Sequence, residues 1–357
     1  MESDSSLNQL NQSFLELLAA LVRAPSVVGS EDPFFRVLRR ELELHRARVN
    51  HYQGLMVACG DQPESLIVSA HIDRHGIVCT GPNEFQFAAF VTKNQGELDG
   101  NSVSEQTVHA IVARFRGARV EAYDPWNGGY LGQGEIRSAF YCDHRRNIVF
   151  DIPDLVGLRP GTPVAYLEHL AVRDDSLSAQ LDNVLMVALV VDMFRRGFQG
   201  TALFTAEEEA GRSWRYILGW FNRFHPTTQR LLVLDTSPYP DKDTADMQEV
   251  VLRKRDAHGT FSPALVSLLE DVCQRAGASY GYKDAYIDAE NEKRQRQGLL
   301  PRSVGRTELG RVVSATQGGI NGATLQIPTT GYHTNRETAS LAAVRAALAV
   351  TDLLIEA

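Results

Sequence analysis

From Asp182 onward, short apolar runs and amphipathic stretches take turns along the chain, and this rhythm limits the fold more than any other feature. A helix is expected over residues 184–196, a strand over 201–205, a helix near 213–223 and a strand over 230–234. A helix over 261–276, an extended stretch over 279–287, a strand over 323–327 and a closing helix over 340–355 follow. Such alternation predicts an α/β fold, with a mainly parallel sheet flanked by helices on both faces.

The N-terminal part fits the same layers. Leu7, Leu10, Phe14, Leu17 and Leu21 recur at spacings of three and four, forming one helical stripe. Asp32 and Pro33 read as an N-cap and first helical residue, with Phe34, Val37, Leu38 and Leu42 turned inward. Residues 65–70 form a continuous apolar run, the mark of a strand covered on both faces.

Between about 77 and 167 the rhythm stops. Short β segments at 85–91, 108–115, 119–122, 147–150 and 163–166 are separated by Gly, Pro and Asn. The expected organisation is one discontinuous α/β domain, residues 1–76 and 166–357, interrupted by a small all-β insert at 77–165.

Composition narrows the function classes. A net charge of −8 with no strongly basic stretch argues against nucleic-acid binding, and no apolar run is long enough to span a membrane. Cys59, Cys79, Cys142 and Cys273 lie far apart without a C-x-x-C pair, which suits reduced thiols and a cytoplasmic location. The N-terminus is polar and lacks the pattern of a signal peptide.

The chemistry sits where strands end. The 65–70 run leads into His71-Ile72-Asp73, the 201–205 run into Ala206-Glu207-Glu208-Glu209, and the 230–234 run into Asp235. The 323–327 run leads through a turn to His333, and Asp182 opens a helix directly after the insert. Ligands of an α/β fold bind outside these carboxyl ends. Two imidazoles and three carboxylates suit a pair of divalent cations, with zinc favoured and cobalt or manganese also accommodated. One carboxylate can bridge both ions, leaving each with one His, one further carboxylate and access to a shared water. Asp73 can accept the second ring N–H of His71 and fix its tautomer. Glu208 is the candidate general base. A metal can lower the pKa of water from ~15.7 to ~7, roughly 12 kcal/mol, whereas a base adds about 3–5 kcal/mol, so metal loss should abolish activity.

At these motifs the sequence resembles the cocatalytic metallo-aminopeptidases, the family containing glutamyl aminopeptidase, deblocking aminopeptidase and the tetrahedral (TET) aminopeptidases. The resemblance covers nearly the whole chain. It rests on residues 24–31, on Ala70-His71-Ile72-Asp73-Arg74-His75-Gly76, on 156–164 and on Ala179-Gln180-Leu181-Asp182-Asn183. Glu208-Glu209-Ala210-Gly211 and residues 327–337, around His333, complete it. It implies a zinc-peptidase-like catalytic domain and a cis peptide after Asp182. It further implies His71 and Asp235 on one metal, Glu209 and His333 on the other, and Asp182 on both. Peptide substrates cut at the N-terminus, and homo-oligomers from dimer to dodecamer, are implied as well, with residues 1–76 and 166–357 as the catalytic domain and the insert at 77–165 as a dimerisation or lid domain. The chain differs from the family pattern at Arg74 and His75, where an acidic residue usually follows Asp73, at Thr330, and at Arg306-Thr307-Glu308.

Other readings remain. A related dinuclear deacylase or other amidohydrolase, or a non-catalytic scaffold on the same fold, uses the same residues. Gly277-Ala278-Ser279-Tyr280-Gly281 matches a serine nucleophile elbow, but a helix rather than a strand is expected before it. Tyr239 and Trp214 could line a pocket, and aromatics in such places more often serve packing. The glycines at 128–134 read as turn residues of the insert.

Overall fold

A computed structural model describes residues 12–92, 113–167, 169–224 and 227–356. Its main sheet has eight strands. In spatial order they are Arg48–Tyr52, Leu55–Cys59, Thr201–Thr205, Ile67–His71, Thr228–Pro238, Ile320–Thr329, Val250–Leu252 and Tyr280–Tyr282. The middle four run parallel to one another, and the hairpin Arg48–Tyr52/Leu55–Cys59 adds an antiparallel edge. The α/β architecture with a mainly parallel sheet is therefore as the sequence predicts.

Both faces are covered. The helix Val184–Arg195 is buried nearly all round, from Val184 to Phe194, as its uniformly apolar sequence requires. The helices Gln12–Arg23, Pro263–Arg275 and Leu341–Glu356 bury one stripe each in the same core. Among the described residues no helix is long and apolar enough to cross a membrane.

A second, seven-stranded sheet is wholly antiparallel and drawn from residues between 77 and 166. It has its own core, with Ile77, Phe85, Phe115, Val120, Ile148, Phe150 and Val164 buried together. A third sheet of three strands, Ala171–Arg173, Ser176–Ala179 and Glu337–Ser340, pairs Ala179 with Glu337. That pairing brings the chain up to Asp182 alongside the segment that carries His333.

Several local expectations are corrected. The strand expected over 85–91 ends at Phe87, and Ala88–Thr92 is helical. Residues 108–112 of the expected strand over 108–115 lie outside the described residues, and 113–115 are helical. Leu7 and Leu10 also lie outside them. Extended backbone after Ser279 stops at Tyr282, because Lys283–Arg296 is a helix rich in strong helix formers with Asp284 in its first turn. Glu31, not Asp32, occupies the N-cap of Asp32–Leu44, without a side-chain cap bond. The strand through Asp235 does not end there. Its pairing with Ile320–Thr329 carries it on to Pro238, so it overhangs its shorter neighbour Ile67–His71.

Candidate metal centre

The parallel strands set the side chains level with one another. Thr205 pairs with His71, and continuing the register Leu231↔Ile67 through Val233↔Ser69 sets Asp235 opposite His71 as well. Glu208 and Glu209 follow in the turn after Thr205, where Glu207 takes a left-handed φ of 60° that no glycine relieves. His333 sits in a turn with φ 56°. The Asp182–Asn183 peptide is cis, as the resemblance implies, and Asn183 Nδ2 donates to the Leu234 carbonyl at 2.9 Å.

The structure brings His71, Asp182, Glu209, Asp235 and His333 together. His71 Nε2 lies 3.2 Å from Asp182 Oδ1 and 3.6 Å from Asp235 Oδ1. His333 Nε2 lies 3.8 Å from Asp182 Oδ2 and 3.5 Å from Glu209 Oε2. Asp182 thus turns one oxygen to each imidazole. Two groups of potential ligand atoms result, His71 with Asp182 and Asp235, and Glu209 with His333 and His75, the atoms within each group lying within 4.8 Å of one another.

The second ring nitrogen of His71 is engaged differently from the sequence reading. Nδ1 lies 3.2 Å from the backbone carbonyl oxygen of Asp73, which places a proton on Nδ1 and makes Nε2 the ring atom turned toward Asp182 and Asp235. The Asp73 carboxylate is 3.6 Å from Nδ1 and serves elsewhere: Oδ1 accepts the Glu208 N–H and Oδ2 the Glu209 N–H, each at 2.9 Å. Asp73 therefore holds the loop that carries both glutamates.

Sequence reasoning left two residues without a role. Glu337 Oε2 accepts the Asp182 N–H and Oε1 the His333 N–H, both at 2.7 Å, so one buried carboxylate joins two segments of the site. Its place four residues after His333 is the only signal the sequence offers. His75, noted only as a departure from the family pattern, places Nε2 2.8 Å from Glu209 Oε2. Arg74 points the other way, to Ser26 Oγ at 2.8 Å and to the carbonyls of Val22 and Ala24. Glu308 lies under the sheet, where it accepts the hydroxyls of Ser69 and Thr205 at 2.8 Å each. Thr330 pairs with Thr338 through the backbone.

Left to themselves these groups conflict. Burial first, then repulsion from Asp182, pushes Glu209 well above the usual carboxylate range. Burial, and after it Glu209 and Asp235, does the same to Glu208. Burial opposes protonation of His71, yet Asp182, Asp235 and Asp73 raise it well above its ordinary value. Burial and the neighbouring His75 hold His333 well below its own. Asp182 Oδ1 is buried and, despite the nearby His71, lacks a hydrogen bond of proper geometry. Divalent cations held here would offset the repulsion among the buried carboxylates, and the mixed nitrogen and oxygen donors fit them.

A cavity of about 250 Å³ opens over the centre and is also lined by Glu208, Arg253, Lys283, Arg306 and Gln326. Tyr332 lines it and stacks on His333, with ring centroids 3.5 Å apart. Tyr239 instead packs on Tyr286, and Trp214 donates to the Gly211 carbonyl. Ser279 follows a helix, and its hydroxyl donates to Glu249, so the nucleophile elbow is not formed.

No protein-family model matches the sequence, and no curated protein does. Solved structures do match. The TET aminopeptidase of a marine sediment archaeon, Thaumarchaeota archaeon SCGC AB-539-E09, superposes with a TM-score of 0.69 at 17% identity, covering 96% of each chain. An aminopeptidase of the archaeon Desulfurococcus kamchatkensis gives 0.69 at 15% identity, covering 97% of this chain and 95% of that one. The TET1 peptidase of Pyrococcus horikoshii, described as assembling into a tetrahedron or a large octahedral shell, gives 0.65 at 16% identity, covering 96% and 100%. At these identities the likeness establishes the fold.

Proposed function

We propose that this chain is a dinuclear metallo-aminopeptidase of the glutamyl, deblocking and TET aminopeptidase family, a hydrolase that removes N-terminal residues from peptides. The observation that carries the reading is Asp182, whose two oxygens face separate His-containing groups. In this assignment His71 and Asp235 hold one divalent cation, Glu209 and His333 hold the other, and Asp182 belongs to both, with zinc preferred and cobalt or manganese as substitutes. When bound, the cations supply Lewis acidity toward the peptide carbonyl and toward water.

The chain's own residues do the rest. Glu208 takes a proton from the attacking water and returns it to the amine that leaves. Asp73 keeps Glu208 and Glu209 in place through their backbone N–H groups. The cavity is smaller than the roughly 300–1,000 Å³ of sites for drug-sized ligands, which suits one terminal residue better than an extended chain. Residues 77–165 act in this reading as an inserted β domain. Exposure of Trp126 (64%), Tyr130 (63%) and Phe140 (55%) on that part supports subunit contacts and a homo-oligomer, dimeric or dodecameric. The assembly described for the Pyrococcus horikoshii protein points the same way.

The test is direct. Purified protein supplied with zinc or cobalt is expected to release N-terminal residues from unblocked peptides, to stop when a chelator is added, and to leave N-acetylated peptides intact. Release confined to acylated substrates would instead establish a deacylase.

A further inference from the structure

We infer that His75 is a further metal ligand, joining Glu209 and His333 at the second cation position. The inference rests on the two-cation reading and changes its ligand count. The bend after the strand Ile67–His71 sends Arg74 to the N-terminal segment and returns the His75 ring to the centre. His75 is 7% exposed, and neither of its ring nitrogens has a hydrogen-bond partner. One face stacks on Phe87 at 5.2 Å, and the ring meets His333 edge-on at 3.9 Å between centroids. Packing on two sides fixes its direction.

An imidazole needs a partner when buried, because its polar nitrogens have given up water. Nε2 faces Glu209 Oε2 at 2.8 Å without the alignment of a hydrogen bond. A cation lying near both atoms would take a lone pair from each and supply the partner that the ring lacks. Donors held 2.0–2.2 Å from a zinc-like ion lie roughly 3.3 Å apart at a tetrahedral angle. The distances from Glu209 Oε2 to His75 Nε2, 2.8 Å, and to His333 Nε2, 3.5 Å, fall on either side of that spacing.

With His75 included, the two positions are unequal. His75, His333, Glu209 and one oxygen of Asp182 give the second position four protein donors, the full count of a closed zinc site. The first, with His71, Asp235 and the other oxygen of Asp182, has three and keeps a place for water or substrate. The second position therefore fills first, and the open coordination site belongs to the cation at His71.

X-ray absorption on the full-length protein, stripped of metal and reloaded with one equivalent of zinc, reads this directly. Two imidazole ligands are expected on the single zinc in the wild type and one in His75→Gln, whose affinity for the first equivalent falls by at least ~100-fold. One imidazole in the wild type, or unchanged affinity and spectrum in the variant, overturns the assignment of His75. A wild type that binds only one equivalent, or none, overturns the two-cation reading itself, and with it this inference.

Discussion

Glu337 accepts the backbone N–H of Asp182 at 2.7 Å, and its other oxygen accepts that of His333 at the same distance. A single side chain thus fixes the spacing between two residues proposed to share a cation. Glu337→Gln exchanges one acceptor for an NH₂ that faces a donor. Metal affinity is expected to fall by about 10–100-fold with the fold intact. Metal titration beside circular dichroism checks it, and wild-type affinity in the variant contradicts it.

Glu208 contributes in two separable ways, through its N–H, held by Asp73, and through its carboxylate, which lines the cavity. Glu208→Gln leaves the backbone contact untouched. The variant is expected to hold its full complement of metal while turnover drops by roughly 10²–10⁴-fold. Parallel measurement of metal content and kcat decides, and full turnover would remove the assigned base.

Burial raises the carboxyls of Glu208, Glu209, Asp235 and Glu337, so in the metal-free fold they hold protons that the unfolded chain has released. The folded state then binds more protons above the ordinary carboxylate pKa, and metal-free stability falls as pH rises through that window. Cations require the deprotonated ligands and reverse the trend. Zinc at about 100 times its dissociation constant stabilises by about 2.7 kcal/mol. The gain in melting temperature at fixed zinc is expected to be large at pH 8 and small at pH 5. Equal gains at both contradict the arrangement.

Lys283 is buried, donates to the Pro238 carbonyl and lies 3.6 Å from the centre of the Tyr239 ring. Burial, and after it Arg253, pushes its pKa down to about 7. Between that value and the unfolded value of about 10.4 the unfolded chain binds the extra proton, so the cost of burying the charge is full below pH 7 and fades as pH rises. Lys283→Met is expected to raise the melting temperature more at pH 6 than at pH 9. A gain independent of pH would mean that the charge carries no penalty.

Much of the frame was legible because burial leaves a period in the sequence. Thr201–Thr205, apolar on both faces, was expected at those bounds, and Val184–Arg195 within one residue. The hairpin strand Arg48–Tyr52 was not legible, since four of its five residues are exposed and it shows no alternation. Lys283–Arg296 is polar nearly all round and has no apolar stripe to announce it. Of the site, the five proposed ligands follow apolar runs or open a buried helix, where an ionisable residue stands out. His75 and Glu337 were missed as functional groups because turns and strand pairing, rather than periodicity, aim their side chains. Glu308, a departure from the family pattern, accepts the buried hydroxyls of Ser69 and Thr205, which no sequence period announces.

Anomalous diffraction from crystals grown with zinc tests the central claim most directly. The account predicts two peaks about 3.5–4 Å apart, one among His71, Asp182 and Asp235, the other against Glu209 and His333 and sharing Asp182. A lone peak, or zinc bound away from Asp182, would contradict it.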